Sequence, residues 1–301
     1  MTFLLITFAA LAFGERIFGK LCSAAMNGES RASYGYYYVT HSLLACVFFL
    51  LSGGFSFNLN LYTLLYSTAL ATAILLNMLT SLLMLRCMNI LGSGILATPL
   101  TLLLTALSGV IIWSESLTIS VYLKIIITTA SAFFIFLDIG GHRVKFKGRK
   151  NDDTVNVKRY LPLMLASVLL TVLQTVITKA FATSDRVTDE HSFYLMTNVI
   201  MLGFGFVLLF TSGGKGRGSF RAGFSFFKPG KVLSTAGNVV VSNLKSLVTL
   251  PLIEMLDVSL FSPINSALGI VVGVLVSLLF KERLGIFSYI AAAVAIVAIF
   301  V

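Results

Sequence analysis

Ser262-Pro-Ile-Asn-Ser266 opens an apolar run that ends at Phe280-Lys-Glu-Arg-Leu284, and a second apolar run then carries the chain to Val301. The stretch reads as a helix, a charged turn and another helix. It has an echo earlier in the chain. Thr98-Pro-Leu-Thr101 leads an apolar run to Trp113-Ser-Glu-Ser-Leu117, and again an apolar helix follows. Glu115 matches Glu282, Leu117 matches Leu284, Ile119 matches Ile286 and Tyr122 matches Tyr289, all at one constant separation. The prolines align after a shift of about one helical turn. A repeat of this period predicts two copies of one membrane unit.

The composition requires a membrane. Of the 301 residues, 57% are hydrophobic and 11% charged, and the mean hydropathy is +0.95. No water-soluble chain of this length can cover so much apolar surface. A spanning helix needs ~20 apolar residues, and hydrocarbon demands that backbone polar groups bond internally, which favours helices. The alternation of a membrane β-barrel is absent. Ten spans are expected, at about 2–24, 34–52, 61–85, 90–112, 117–138, 160–182, 192–211, 232–255, 259–280 and 285–301. The opening run lacks a basic leader and continues past Glu15 and Arg16, so it reads as the first span and not as a signal peptide. Cys22, Cys46 and Cys87 have no metal or redox spacing.

The predicted organisation is a first five-helix repeat at 1–139, a basic loop at 140–159 and a second repeat at 160–301. Weaker matches recur in the same order in both halves. Tyr36 to His41 aligns with Phe193 to Asn198, Ser67-Thr-Ala69 with Ser234-Thr-Ala236, Lys20 with Lys179, and Glu15 stands opposite Gln174. Five is odd, so the second copy must be inverted in the bilayer. Inverted repeats recur in secondary transporters, with the substrate site at the repeat interface. Twelve of the 22 Lys and Arg residues lie in loops 140–159 and 212–231. The charge is therefore a topology signal, placing those loops in the cytoplasm of a cell inner (plasma) membrane protein with both chain ends outside.

These residues resemble a known family. The proline-led ninth helix, the Lys281-Glu-Arg-Leu284 turn and the small-residue last helix look like the end of an EamA-like repeat of the drug/metabolite transporter superfamily. Phe13-Gly14 through Lys20 resembles the aromatic-glycine opening and terminal lysine of that family's first helix. Lys281 replaces the glycine of the Gly-Glu-Arg-Leu turn, and Ser114-Glu-Ser116 stands for it in the first copy. The resemblance implies a ten-helix, two-repeat carrier and names no substrate.

Charge in the middle of a span is expensive, so intramembrane polar residues are functional candidates. Glu15 is a candidate coupling site for protons, with a structural pair to Arg16 or Lys20 as its plain alternative. Lys245 lies near the middle of the eighth span. Asn238, Ser242 and Lys245 share one helical face. Tyr194 and Asn198 form a stripe in the seventh span, Tyr37 and His41 in the second, and Lys179 and Gln174 lie in the sixth. If the helices ring one cavity, as the resemblance implies, these residues line a polar, locally positive site for an anionic or zwitterionic substrate. The plain alternatives are a structural ion pair from Lys245 to Glu15 or Glu254, and snorkelling of Lys179 to the interface. Glu115 and Glu282 read as helix-start carboxylates. Gly269-x-x-x-Gly273 gives the ninth helix a small-residue face for packing or for a homodimer.

The expected function is secondary active transport of a small polar metabolite by alternating access. A proton-coupled exporter of cationic or hydrophobic compounds, using Glu15, is the alternative. A non-transporting membrane interaction protein presenting its basic loops to acidic partners is the reading from another class. No Walker motif, metal cluster or nucleophile triad appears, so no enzyme activity, cofactor or nucleic-acid partner is expected. The expected partners are the small-molecule substrate and the lipid bilayer.

Overall fold

The computed structural model describes residues 2–26, 31–55, 57–84, 90–141, 157–184, 189–211, 229–281 and 284–301. Most of the two basic loops, Arg86, Arg186 and the Glu282-Arg283 pair lie outside them. The described residues form ten α-helices and no strand. They are α1 Thr2–Met26, α2 Arg31–Ser52, α3 Leu61–Met84, α4 Ile90–Trp113, α5 Ile119–Gly141, α6 Val157–Ala182, α7 Glu190–Thr211, α8 Pro229–Met255, α9 Val258–Leu279 and α10 Ile286–Phe300. Six of them hold stretches long and apolar enough to cross a membrane: Gly35–Ser52, Leu61–Met78, Leu161–Ala182, Glu190–Thr211, Pro229–Met255 and Val258–Leu279. Leu100–Trp113, Ile119–Phe134 and Ile286–Phe300 are shorter apolar helical stretches. Many large apolar side chains on these helices are exposed, among them Phe3, Ile111, Phe210 and Phe300. In water that surface would be a liability; in a bilayer it is the lipid-facing face. The architecture suits a multi-pass α-helical membrane protein.

Local chemistry sets the helix ends. Asn60 accepts the Thr63 N–H at 2.7 Å and caps α3. Asp189 caps α7, accepting the N–H groups of His191 and Ser192. After α2 the chain turns through Gly54 and Phe55, both at positive φ, and the Phe55 N–H returns to the Leu50 carbonyl.

The chain divides into two compact units, and each draws on both sequence halves. The first comprises Met1–Leu75 and Ala180–Leu252; the second comprises Leu76–Lys179 and Ile253–Val301. In the first, α2 packs on α7 at close range. A Cβ on Gly205 would stand 3.0 Å from the Val39 side chain and 3.1 Å from its backbone N, so any larger residue would require α2 to give. Phe193 is fully buried and stacks on Phe181, while Tyr194 stacks on Phe49. In the second, α10 turns Ala291, Ala295 and Ala298 inward at helical spacing, all buried. Its backbone accepts hydrogen bonds from α5: Ser131 Oγ donates to Ala291 O, and Lys124 Nζ to Ala298 O and Ile299 O. On the small-residue face expected on α9, a Cβ on Gly273 would meet nothing within 4 Å among the described residues.

Candidate functional site

An ion pair joins two apolar helices of the first unit. Lys245 Nζ of α8 donates to Glu15 Oε2 of α1 at 2.7 Å. The close approach of these helices is set by small residues: a Cβ on Gly14 would stand 3.1 Å from Val241, and Gly237 leaves room for the Phe18 ring. Of the two partners expected for Lys245, Glu15 is the one found; it reaches Glu15 from a different helix, whereas Arg16 and Lys20 share α1 with it. The pair is not sealed, since the Lys245 side chain is 23% exposed and that of Glu15 35%. The Phe8 ring lies 5.2 Å from Lys245 Nζ and supplies a cation–π contact.

Polar and aromatic groups extend the site. One face of α8 carries Asn238, Ser242 and Lys245, as the spacing predicts. Asn238 Nδ2 donates to Tyr37 Oη at 3.4 Å, and its Oδ1 is buried with no hydrogen-bond partner among the described residues. The Tyr37 ring stands 5.8 Å from the His41 ring, and the Glu15 carboxylate acts electrostatically on both. Glu15, Lys245, Asn238, Tyr37 and His41 therefore form one cluster. Tyr194 ties α7 to α8, its Oη donating to Ser246 O, while Asn198 and Ser242 serve local bonds, Asn198 Nδ2 donating to Tyr194 O and Ser242 Oγ to Val239 O. Asn243, which the sequence did not single out, is buried on α8 with Nδ2 unpartnered among the described residues. Its signal was an amide within an apolar helix.

Lys179 and Gln174 belong to the second unit, and Lys179 makes a different kind of site. It does not snorkel. Its Nζ donates to Glu115 Oε1 at 2.5 Å, with both side chains buried, and it lies 5.2 Å from the Trp113 ring centroid. Glu115 also accepts the backbone N–H groups of Val258 and Ser259, each at 2.9 Å. The carboxylate thus caps α9, not the helix that follows it in sequence. The residue in the N-cap position of α9, Asp257, makes no side-chain cap bond. α5 is capped instead by Thr118, whose Oγ1 accepts from Val121 N. Gly109 must lack a side chain, because a Cβ there would overlap the Glu115 carboxylate. Burial alone would raise the Glu115 pKa, but Lys179 and the two N–H groups outweigh it and hold the carboxyl below its ordinary value. Gln174 lies a little over one turn before Lys179; its backbone carbonyl accepts from Thr178.

Among the described residues, no three His, Cys, Asp or Glu side chains gather as metal ligands do. No protein-family model matches the chain, and no curated protein does. The likeness to solved structures covers the whole chain: 27 chains match, so other sequences adopt this fold. One of them, described only as the crystal structure of a protein, aligns over 99% of this chain and 94% of its own, at 14% identity and a TM-score of 0.60. At that identity the likeness concerns the fold alone.

Proposed function

We propose that the chain is a secondary active transporter of a small, charged, polar metabolite, working by alternating access between two inverted five-helix repeats in the cell membrane. One observation carries the reading: a part-exposed Lys245–Glu15 pair, flanked by Tyr37, His41 and Asn238, on otherwise apolar helices. Charge on such helices is costly unless it serves a purpose, and a pair left open to small solutes is suited to exchange its partners. The repeat has support as well. Ser114 and Lys281 stand at the separation that relates Glu115 to Glu282, and both adopt φ +54°. Two non-glycine residues in the same rare conformation, at matching places, are what a duplicated turn would retain. The resemblance to the drug/metabolite transporter superfamily agrees with this reading. The basic loops 140–159 and 212–231 are assigned to the cytoplasm by their charge.

The exporter alternative uses Glu15 as a proton site. Lys245, at 2.7 Å, already holds that carboxylate in a pair, so a carrier that exchanges both partners is favoured. The test is accumulation. Liposomes containing the purified protein are incubated with an isotope-labelled metabolite extract, and their contents are read by mass spectrometry. Wild type is expected to accumulate at least one small charged metabolite, and Lys245→Gln is expected not to accumulate that metabolite. Contents equal to those of protein-free liposomes would contradict transport and favour an interaction protein.

A further inference from the structure

The charge balance around Lys245 and Glu15 indicates what the site binds. We infer that its substrate is a small zwitterion, whose cationic group takes the place of Lys245 at Glu15 and whose anionic group takes the place of Glu15 at Lys245. This rests on the carrier reading above.

A lone anion on Lys245 would strand Glu15 as an uncompensated carboxylate between apolar helices. Stranding a charge there is strongly unfavourable, so the anion would have to bring a proton. A lone cation on Glu15 strands Lys245 in the same way. A zwitterion gives each side chain a partner of the sign it already has. The pair can then part with no charge left over and no proton moved.

Beyond the two ionic side chains, the neighbours fit the cationic end of such a molecule. The Phe8 ring stays beside the Lys245 ammonium, 5.2 Å from Nζ. Asn238 uses its Nδ2 on Tyr37, while its Oδ1 is buried with no hydrogen-bond partner among the described residues. That oxygen can only accept, so it suits an N–H donor such as a substrate ammonium and has no use for a carboxylate. Both ionic side chains are open enough to be reached.

The test is calorimetric titration of the purified protein at neutral pH with three probe sets: neutral amino acids as zwitterions, the 2-oxo acids of the same carbon skeletons as monoanions, and the matching primary amines as monocations. At least one amino acid is expected to bind, with its oxo acid and its amine weaker by ~10-fold or more, a gap of one decade in Kd. The binding enthalpy should be equal in two buffers of different protonation enthalpy, since no proton is taken up. Glu15→Gln should turn the preference to the oxo acid, and Lys245→Gln to the amine. The double exchange Glu15→Lys with Lys245→Glu should restore the zwitterion, which guards against single variants that fail to fold. Wild type that prefers an oxo acid with proton uptake, or an amine, overturns the zwitterion assignment and leaves the carrier reading standing. Binding by none of the three sets overturns the assignment too, and metabolite accumulation in liposomes then decides separately whether the chain is a carrier.

Discussion

Each unit contains a lysine–glutamate pair, and the two are built for different tasks. In the second unit Glu115 is saturated: it takes the Lys179 ammonium and two α9 N–H groups, and both side chains are buried. In the first unit Glu15 and Lys245 meet at a similar distance but remain part-exposed, and the same face of α8 carries an amide oxygen, that of Asn238, with no hydrogen-bond partner among the described residues. The comparison separates what a charge on an apolar helix can do. A pair whose hydrogen bonds are all internal fixes structure, because any exchange would leave buried donors unpaired. A pair with open sides and spare neighbours can trade its partner for a solute. Distance alone does not distinguish the two; saturation does.

The comparison can be broken first where it predicts the most. Glu115→Ala removes the carboxylate that a buried ammonium and two helix N–H groups share, so it should destabilise the protein by about 3–5 kcal/mol, read as a lowered thermal unfolding midpoint in detergent. Lys179→Met should cost less, on the order of 1–3 kcal/mol, because the carboxylate keeps its two backbone donors. A smaller loss for Glu115→Ala than for Lys179→Met would show that the capping bonds carry little. Glu15→Gln and Lys245→Gln should abolish accumulation of the wild-type solute while destabilising the protein less than Glu115→Ala does, because the charge left behind is part-exposed and not sealed. If they unfold the protein as Glu115→Ala does, the division of tasks fails.

Acid sharpens the same contrast. Glu115 is held below its ordinary pKa, so its contribution is complete above the unfolded-chain value of about 4.3. It is lost as pH falls from there through the lower folded-state value. Unfolding midpoints followed into acid should show this loss in wild type, and Glu115→Gln should lack that part of the slope. The smallest effect concerns the turns. Ser114 and Lys281 sit at φ +54°, a conformation that costs roughly 1–2 kcal/mol for residues other than glycine. Ser114→Gly and Lys281→Gly should each raise the midpoint slightly, by up to about 1 kcal/mol after the entropy glycine adds to the unfolded chain.

Much of the fold was legible because hydropathy and turn residues act locally. The ten expected spans lie within a few residues of α1 to α10. The Lys245 stripe was also legible, since Asn238, Ser242 and Lys245 fall on one face by helical spacing alone. Its partner was narrowed to Glu15 or Glu254, and only tertiary packing of α1 on α8 selects Glu15. The Glu115–Lys179 site was missed for the same reason in a stronger form. Glu115 was read as capping its own turn, but Thr118 takes that place and Glu115 reaches α9, far along the chain. A clue was present: Lys179 lies in a long apolar helix and needs an anion. Nothing local says which carboxylate can reach it.

The central claim is that the open pair, and not the sealed one, receives the solute. Its most direct test is ligand-induced thermal stabilisation, read with the most strongly stabilising compound of a metabolite panel, in wild type, Lys245→Gln and Lys179→Met. Stabilisation by a bound ligand follows mass action and needs no assumption about transport direction. The shift should vanish in Lys245→Gln and persist in Lys179→Met, on whatever lower baseline that variant has. A shift kept in Lys245→Gln and lost in Lys179→Met would contradict the account.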